Sequence, residues 1–472
     1  MSFRTANGGS KIQIHTTSTI KEIFMSTIIE QPRFTCALGA QQTVLAIPGA
    51  FPIVHAGPGC SSRLFRFMSG ECGNQGEGFN GGGQVTSTNT TETEVVFGGE
   101  TKLRKTVDSA LKIFDGDLYV ILSGCTTGII GDDIDAIASE FRDEGYPVVS
   151  AETSGFKGNN YYGHELILKS IINQFVGQVR PNVKKGLVNV FSVVPNQDPF
   201  WRGDLEEIKR ILTGIGLEVQ ILFGNESAGS SEWKNIPNAE FNLLLSPWVG
   251  KETVELLKEK YGTPYLHYPI LPVGGKATST FLREVARFAK LNPEKVEEFI
   301  RKEEKRFYYY FVGLADFGTD LRGKLPSELY AVGDAEYTLG AVDFLVNELG
   351  LTHKKTFIND DAQGETLRKS IIAQAEKFVP AIKGNLFLES DGGKISRQLY
   401  ESIGNSKKAV IFGSTWEEIV AERSGNYSVL FSMPLSNDLI LSRTFIGYNG
   451  GLHIIEELYS GMFKAKKIKK EV

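Results

Sequence analysis

Short apolar, β-prone runs alternate with amphipathic helical segments along most of the chain, and this alternation constrains the fold more than any other feature. In the first third, the runs FPIVHAG, DLYVILSGC and YPVVSAE are separated by segments such as 101–113, where Leu103, Val107 and Leu111 share one helical face. Strands that alternate with helices form parallel sheets through crossover connections. The pattern therefore predicts an α/β fold of Rossmann-like, doubly wound domains with parallel sheets. The apolar stretch 37–57 is interpreted in the same way, as buried strands.

The alternation restarts twice, which predicts three domains. It begins again near 186 with GLVNVFSVV and near 328 with ELYAVGD, and charged helical sequence around 293–312 separates the last two units. A chain of 472 residues is also too long for one ordinary core. The predicted units are an N-terminal extension at 1–25, a cysteine-bearing domain at 26–182, a second domain at 183–320 and a third at 321–472.

Composition excludes several classes of partner. The formal net charge of −5 gives no basic footprint for nucleic acid. No uninterrupted apolar run reaches the roughly 18 residues of a membrane span. The polar stretch 1–24 has no apolar signal-peptide core, and the basic C-terminal KAKKIKK fits a solvated helix end. We expect a cytoplasmic protein without nucleic-acid or membrane partners.

All four cysteines, Cys36, Cys60, Cys72 and Cys125, lie in the first 125 residues. A disulfide framework is not expected in a chain of this size without a secretion signal. The sequence contains no Cys-x2-Cys pair of the kind found in zinc sites. Isolated cysteines gathered from several turns are typical of an iron–sulfur cluster.

Two of these cysteines occupy equivalent places, because Cys60 and Cys125 each follow a predicted strand and open a predicted helix. Ligands of open α/β sheets bind at such strand ends, and helix N-termini stabilise thiolates. Gly57 and Gly59 let the backbone come close to a bulky ligand. Cys36 likewise precedes a run of small residues. A buried, chemically inert thiol explains any one cysteine alone, but three at comparable turns favour cluster ligands.

Three other features favour structural roles. His55 ends a strand beside the cysteine turn, where it either hydrogen-bonds near a cluster or, as the residue type favours, is a satisfied core histidine. Asp132 and Asp133 precede a helix, which predicts capping instead of a catalytic carboxylate pair. The segment AVGDAEYTLG at 331–340 lacks the G-x-G-x-x-G pattern of a nucleotide-binding loop.

The cysteine-bearing blocks resemble a known family. FTCALGAQ, VHAGPGCSS, EVVFGGETKL at 94–103 and SGCTTGIIGDDIDAI at 123–137 are similar to the conserved blocks of nitrogenase component 1, and ETSGFKGNNYYG at 152–163 resembles its next block. The resemblance covers almost the whole chain and includes the three-unit architecture. The segment from YSVLFSMP to the C-terminus resembles the end of the β-type subunit.

The resemblance implies a shared cluster. In this family the α and β subunits each supply three cysteines to a P-cluster at their interface. The β-type ligands fall on Cys36, Cys60 and Cys125, which would hold half of a P-cluster-type 8Fe–7S cluster. Cys72, in the glycine-rich loop 70–84, is a further candidate iron ligand without a counterpart in the family.

The resemblance also implies partners. The catalytic iron–sulfur metallocluster of the family lies in the α subunit, held by a late cysteine and a later histidine, whereas this chain has no cysteine after Cys125. His267, His353 and His453 are accordingly interpreted as structural. The chain is expected to be the β-like subunit of an α2β2 heterotetramer. A separate, ATP-dependent iron protein would deliver its electrons.

Two departures bear on the reaction. Gly155 stands where β subunits usually have a serine that can ligate the oxidised P-cluster, and the loop 70–84 does not match standard β subunits. These departures favour a nitrogenase-like reductase such as methylthio-alkane reductase, which cleaves C–S bonds in small thioethers. The alternatives are a nitrogenase that reduces dinitrogen, a cofactor-assembly scaffold without net turnover, and a small-molecule binding protein with incidental cysteines.

Overall fold

The computed structural model describes residues 29–75, 84–320 and 325–471. Within these residues the chain forms thirteen strands: β1 Ala50–His55, β2 Thr86–Ser87, β3 Leu118–Ser123, β4 Val148–Ala151, β5 Lys184–Phe191, β6 Glu218–Gln220, β7 Ala239–Leu244, β8 Tyr265–His267, β9 Glu328–Gly333, β10 Thr352–Ile358, β11 Leu386–Leu388, β12 Ala409–Gly413 and β13 Tyr427–Leu430. They assemble into three sheets with the orders β2-β1-β3-β4, β6-β5-β7-β8 and β11-β10-β9-β12-β13. All pairs within these sheets are parallel, which confirms the predicted α/β class.

Helices connect the strands and cover the sheets. The α-helices of the described residues are Gln41–Leu45, Pro58–Gly70, Glu92–Phe97, Glu100–Ile113, Cys125–Ile130, Ile134–Asp143, Asn160–Ser170, Trp201–Gly214, Ser230–Asn235, Lys251–Tyr261, Gly274–Phe288, Pro293–Gly313, Ala315–Asp320, Ala335–Asn347, Glu365–Phe378, Gly392–Ile403, Thr415–Ser424 and Gly447–Glu471. Short 3-10 turns lie at Ala37–Ala40, Ile236–Asn238 and Pro380–Ile382, and a π-helical turn at Ile171–Val176. No helix in the described part of the chain is long and apolar enough to cross a membrane.

The first sheet is buried on both faces, which explains why its strands are continuously apolar. Leu118, Val120 and Leu122 of β3 point into the large core that links this sheet to the second and third sheets. Tyr119 and Ile121 point the other way, against the helices Glu100–Ile113 and Ile134–Asp143. This burial on both faces is usual for a parallel sheet with helices on either side.

The prediction of strands throughout 37–57 is wrong for its first part. Residues 37–45 form a 3-10 turn and a short helix, and only β1 is extended. The run is apolar because it is buried against the helix Asn160–Ser170, where a Cβ on Gly163 would lie 2.1 Å from the carbonyl oxygen of Ala37. Short apolar runs do not distinguish a buried strand from a buried helical turn.

Some predictions fall outside the described residues. The predicted extension 1–25 lies there, as does the segment 76–83 of the glycine-rich loop. The three sheets occupy consecutive parts of the chain, and the exact domain boundaries stay a prediction.

Candidate functional site

Cys125 begins the helix Cys125–Ile130, directly after β3, and its side chain is exposed. Two hydrogen bonds tie this turn to the end of β1: the Gly124 N–H (2.9 Å) and the Thr127 hydroxyl (2.6 Å) both donate to the carbonyl oxygen of His55. Strands β1 and β3 are adjacent and parallel, so both end at the same edge of the sheet. The turns that follow them therefore lie together.

Cys60 lies in the first turn of the helix Pro58–Gly70, which follows β1, and it is half-buried. Burial raises the pKa of the Cys60 thiol, and negative charge on Cys36 and Cys125 raises it further. This effect places the sulfurs of Cys36 and Cys125 within electrostatic reach of Cys60. No atom of the described residues lies within 4 Å of a Cβ built on Gly59, so space remains beside Cys60.

Cys36 precedes the 3-10 turn Ala37–Ala40 and is exposed. It forms an isolated antiparallel bridge with Asn159. Around it, the Thr35 N–H donates to Asn160 Oδ1 (2.7 Å) and the Ala37 N–H donates to the carbonyl oxygen of Gly158 (3.0 Å). The backbone of Cys36 is therefore held against the loop that follows β4.

Gly155 lies beside the sulfurs of both Cys36 and Cys125. Its N–H donates to the Cys125 sulfur over 3.1 Å. A Cβ on Gly155 would lie 3.0 Å from Cys125 Sγ and 3.8 Å from Cys36 Sγ, so both sulfurs border the space that a side chain would fill. Sequence reasoning treated Gly155 only as a departure from the family pattern and missed this role as the spacer between two thiols.

The donor set suits a cluster of several metal atoms better than one ion. In the described ranges, no group of three or more His, Cys, Asp or Glu side chains is arranged to hold a single metal ion. Three thiols around an open space, with helix N-termini and glycines beside them, match the ligands and access that an iron–sulfur cluster requires. The residues present therefore fit the cofactor that the resemblance implies.

Cys72 lies in a different environment. It is buried, forms an isolated bridge with Leu435, and its sulfur is 3.8 Å from the sulfur of Met433. Burial raises the pKa of its thiol well above the usual value, and the charges of Asp198 and Glu71 add to the shift. The structure thus places Cys72 against the segment after β13, and its part in metal binding stays a prediction.

His55 is a satisfied core histidine, as predicted. It is fully buried, with Nε2 2.9 Å from Asp132 Oδ2 and Nδ1 3.1 Å from the hydroxyl of Thr88. Burial lowers its pKa, against the opposing effect of Asp132. Asp133 caps the helix Ile134–Asp143 by accepting from the Ala136 N–H, which confirms the prediction for this residue.

The capping prediction is wrong for Asp132. Its Oδ2 instead lies 2.9 Å from His55 Nε2. The Gly99 N–H donates to both carboxylate oxygens, over 2.9 Å to Oδ1 and 3.1 Å to Oδ2. The reason is geometric, because Asp133 occupies the N-cap position and leaves Asp132 facing the end of β1. Asp132 therefore links the segment after β3 to the end of β1 and to the start of the helix Glu100–Ile113.

The three later histidines have backbone or hydroxyl partners. His267 Nε2 is 2.8 Å from the Ser246 carbonyl oxygen, His353 Nε2 is 2.8 Å from the Thr356 hydroxyl, and His453 Nδ1 is 3.0 Å from the Thr444 carbonyl oxygen. These contacts agree with structural roles.

An exposed apolar surface adjoins the cysteines. Ile129, on the helix that begins at Cys125, is 76% exposed, and Phe156, next to Gly155, is 60% exposed. The neighbouring helix Glu92–Phe97 adds Val96 and Phe97, which is 84% exposed. Exposed apolar groups in contiguous patches mark interaction sites. Sequence reasoning missed this surface, although a short helix ending in Val-Val-Phe is a usable signal.

Comparison with known proteins agrees with these observations. Residues 35–463 match the family of nitrogenase component 1 type oxidoreductases. The chain is 30% identical over 259 residues to the molybdenum-iron protein α chain of Methanosarcina barkeri, covering 53% of this chain and 46% of that one. It is 25% identical over 339 residues to the molybdenum-iron protein β chain of Azotobacter vinelandii, covering 67% and 59%.

Longer alignments and the fold extend the similarity. The molybdenum-iron protein β chain of Rippkaea orientalis is 22% identical over 451 residues, which cover 90% of this chain and 82% of that one. A solved structure of nitrogenase Cp1 at pH 6.5 superposes with a TM-score of 0.74 at 20% identity, covering 93% and 94% of the two chains, and shows the same fold. Because the family match spans most of the sequence, this chain belongs to the nitrogenase component 1 type oxidoreductases.

Proposed function

We propose that this chain is the β-like subunit of a nitrogenase-like, two-component reductase, in which Cys36, Cys60 and Cys125 ligate a P-cluster-type 8Fe–7S cluster shared with an α-like subunit. The observation that carries the proposal is that Cys36 and Cys125 both border Gly155, with Cys60 within electrostatic reach of both and open space beside Gly59. A buried cysteine with a purely structural role has no need of such access, whereas Cys36 and Cys125 are exposed.

The half-open arrangement supports a shared cluster. Three thiolates from this chain leave the outer side of the space to another protein, and Ile129 and Phe156 form an apolar rim beside it. A subunit that supplied the remaining ligands would have to cover this rim and exclude water from it. We assign the rim to the α-like subunit, in an α2β2 assembly.

The residues of this chain would hold the cluster and set its environment. Iron would replace the protons of the three thiols, including the one on Cys60, whose pKa is raised by burial. The Gly155 N–H, already directed at Cys125 Sγ, would hydrogen-bond a ligating sulfur, and such bonds tune cluster potentials. When bound, the cluster would relay electrons from an ATP-dependent iron protein to a catalytic metallocluster in the α-like subunit.

The iron protein needs an exposed surface near the thiols that the α-like subunit leaves open. The helix Glu92–Phe97 offers one, because it contacts the helix that begins at Cys125 and exposes Val96 and Phe97. Replacement of Phe97 by Ala should lower iron-protein-dependent turnover at least about tenfold, as the loss of an aromatic anchor does at other interfaces. Bound iron should stay at the wild-type amount. Unchanged turnover would contradict this assignment.

For the substrate we propose small methylthio-alkanes, with reductive C–S cleavage as the reaction. Gly155 supports this choice over dinitrogen, since the family's serine ligand is replaced by a residue without a side chain. Dinitrogen reduction and cofactor assembly are the competing outcomes. Iron–sulfur clusters of this kind are sensitive to oxygen, so the proposal includes an anaerobic cytoplasmic setting.

The test is anaerobic co-expression with the α-like subunit, followed by iron analysis and turnover with the iron protein, ATP and either dimethyl sulfide or dinitrogen. Wild-type complex should contain iron and reduce one substrate. Cys60→Ala should lose most of the shared-cluster iron and the activity. Normal iron content and turnover in Cys60→Ala would overturn the ligand assignment, and transfer of iron to another protein without turnover would favour a scaffold.

A further inference from the structure

A buried ion pair connects the segment before Cys36 to the third sheet. Arg33 is 2% exposed and pairs with Glu417, a fully buried residue 384 positions away in the sequence. Its guanidinium also stacks over the ring of Trp416, with Cζ 4.3 Å from the ring centroid. Buried ion pairs are costly to desolvate, so one that joins distant segments in this way calls for a reason beyond stability.

The segment that includes Glu30 and Arg33 contacts the third sheet's domain at the carboxyl ends of its strands, where ligands of such sheets usually bind. Glu417 lies in the helix after β12, and Gly392 begins the helix after β11. The Gly392 N–H donates to the Glu30 carbonyl oxygen over 2.8 Å. A Cβ on Gly392 would lie 2.5 Å from an Arg33 guanidinium nitrogen and 2.9 Å from the Gln31 carbonyl oxygen, so a larger residue here would displace the segment at Gln31 or the arginine.

Cys36 is held from its other side by the helix Asn160–Ser170, which follows β4 of the first sheet. Asn160 exchanges two hydrogen bonds with Thr35, one from its N–H to the Thr35 carbonyl oxygen (3.0 Å) and one to its own Oδ1 from the Thr35 N–H (2.7 Å). Cys36 thus follows a segment that is fixed at two points. Arg33 is held by the helix after β12 of the third sheet, and Thr35 by the helix after β4 of the first sheet. The Cys36 thiol is exposed, so the backbone contacts on either side of it define where its sulfur lies.

We propose that Arg33 is a positioning residue for Cys36: its pairing with Glu417 fixes the segment that carries the thiol, so that the third sheet sets the place of Cys36 opposite Cys125. The inference rests on the proposed function, because the position of Cys36 matters most if Cys36 is a cluster ligand. It also makes the ligand geometry of the first sheet dependent on the fold of the third.

The test measures how readily Cys36 and Cys125 are bridged in the iron-free full chain. Dibromobimane alkylates two neighbouring thiols, and peptide mass spectrometry identifies the bridged pair. Arg33→Met and Glu417→Gln should slow Cys36–Cys125 bridging about tenfold or more, since misplacing one reacting group by an ångström removes most of its effective concentration. Arg33→Lys, which keeps the charge, should restore part of the rate.

A matched control separates positioning from general stability. Arg210 pairs with Glu207 and Glu303, a half-buried network on other helices. Arg210→Met should lower the melting temperature yet leave the bridging rate unchanged. An unchanged bridging rate in folded Arg33→Met or Glu417→Gln would overturn the proposal. Normal bridging in a wild-type chain that never binds iron would instead count against the proposed function.

Discussion

Two sets of chemically active side chains lie at strand ends in this molecule, and they differ in access. Cys60 and Cys125 follow β1 and β3 of the first sheet, whereas Asp334 and Asp360 follow β9 and β10 of the third. The thiol of Cys125 is exposed, while Asp334 and Asp360 are only 5% and 3% exposed. The position after a parallel strand is thus shared, and exposure distinguishes the proposed cluster ligands from the buried carboxyl groups.

Donors of the protein itself occupy both oxygens of Asp334 and Oδ2 of Asp360, whereas Oδ1 of Asp360 is buried without a partner among the described residues. Asp360 accepts from Trp248 Nε1 (2.8 Å) and from the Ala335 N–H (3.2 Å). Asp334 caps the helix that follows it by accepting from the Tyr337 N–H (2.9 Å). Among the described residues, the Cys125 sulfur accepts one hydrogen bond, from the Gly155 N–H, and the exposed Cys36 and Cys125 thiols could still bind a ligand.

Replacing Gly155 by valine should break this contrast most strongly. The added Cβ would lie 3.0 Å from Cys125 Sγ and 3.2 Å from Cys36 Cβ, and its methyl groups would enter the space between the sulfurs. We expect loss of most of the iron from the anaerobically purified complex, with the fold retained. Gly313→Val is the matched control, because no atom in the described part of the chain lies within 4 Å of that Cβ. Full iron content in Gly155→Val would show that the two thiols are not joint ligands.

The exposed cysteines of the first sheet are easier to predict from sequence than the contacts between distant segments, for a physical reason. Strand-to-helix turns with glycine and cysteine are local features, so Cys60 and Cys125 were recognisable without a structure. The roles of Gly155 and Arg33 depend on contacts between distant segments, such as the pairing of Arg33 with Glu417, which no local pattern encodes. The same limit applies to Asp132, whose partners are His55 at the end of β1 and Gly99 at the start of the helix Glu100–Ile113.

The parallel-sheet architecture was predictable because apolar strands and amphipathic helices differ in periodicity. The error at 37–45 arose where that difference vanishes, in a short run whose residues are buried all round. The exposed residues Val96 and Phe97 were equally hidden, since sequence alone does not tell a core side chain from one that awaits a partner.

The folding stability of the chain should depend on pH through the buried carboxyl of Asp360. Burial raises its pKa to about 6, and the charge of Asp334 adds to the shift. Because the folded carboxyl holds a proton that the unfolded chain has released, stability is fully present below about pH 4 and falls as pH rises to about 6. Asp360→Asn should therefore flatten this fall and stabilise the chain by up to about 3 kcal/mol at pH 7.

The measurement is the melting temperature between pH 4.5 and 8. The buried neighbours Asp198, Asp334 and Glu336 also titrate with raised pKa values, so the variant should retain a smaller slope. Asp133→Asn is the control, because asparagine also caps helices and Asp133 is exposed. Identical pH profiles for wild type and Asp360→Asn would mean that this carboxyl is charged in the folded chain. Burial would then not keep Asp360 protonated.

Cys72 gives the smallest expected effect and the sharpest test of the contrast, because it is a thiol in closed surroundings. Its side chain is buried against Met433, so Cys72→Ala should cost about 1 kcal/mol through the lost packing of one sulfur atom. Iron content and turnover of the complex should stay at wild-type values, unlike those of Cys60→Ala. If Cys72→Ala instead lost iron with its melting temperature unchanged, a buried thiol would be acting as a ligand, and access would no longer separate the two kinds of strand-end site.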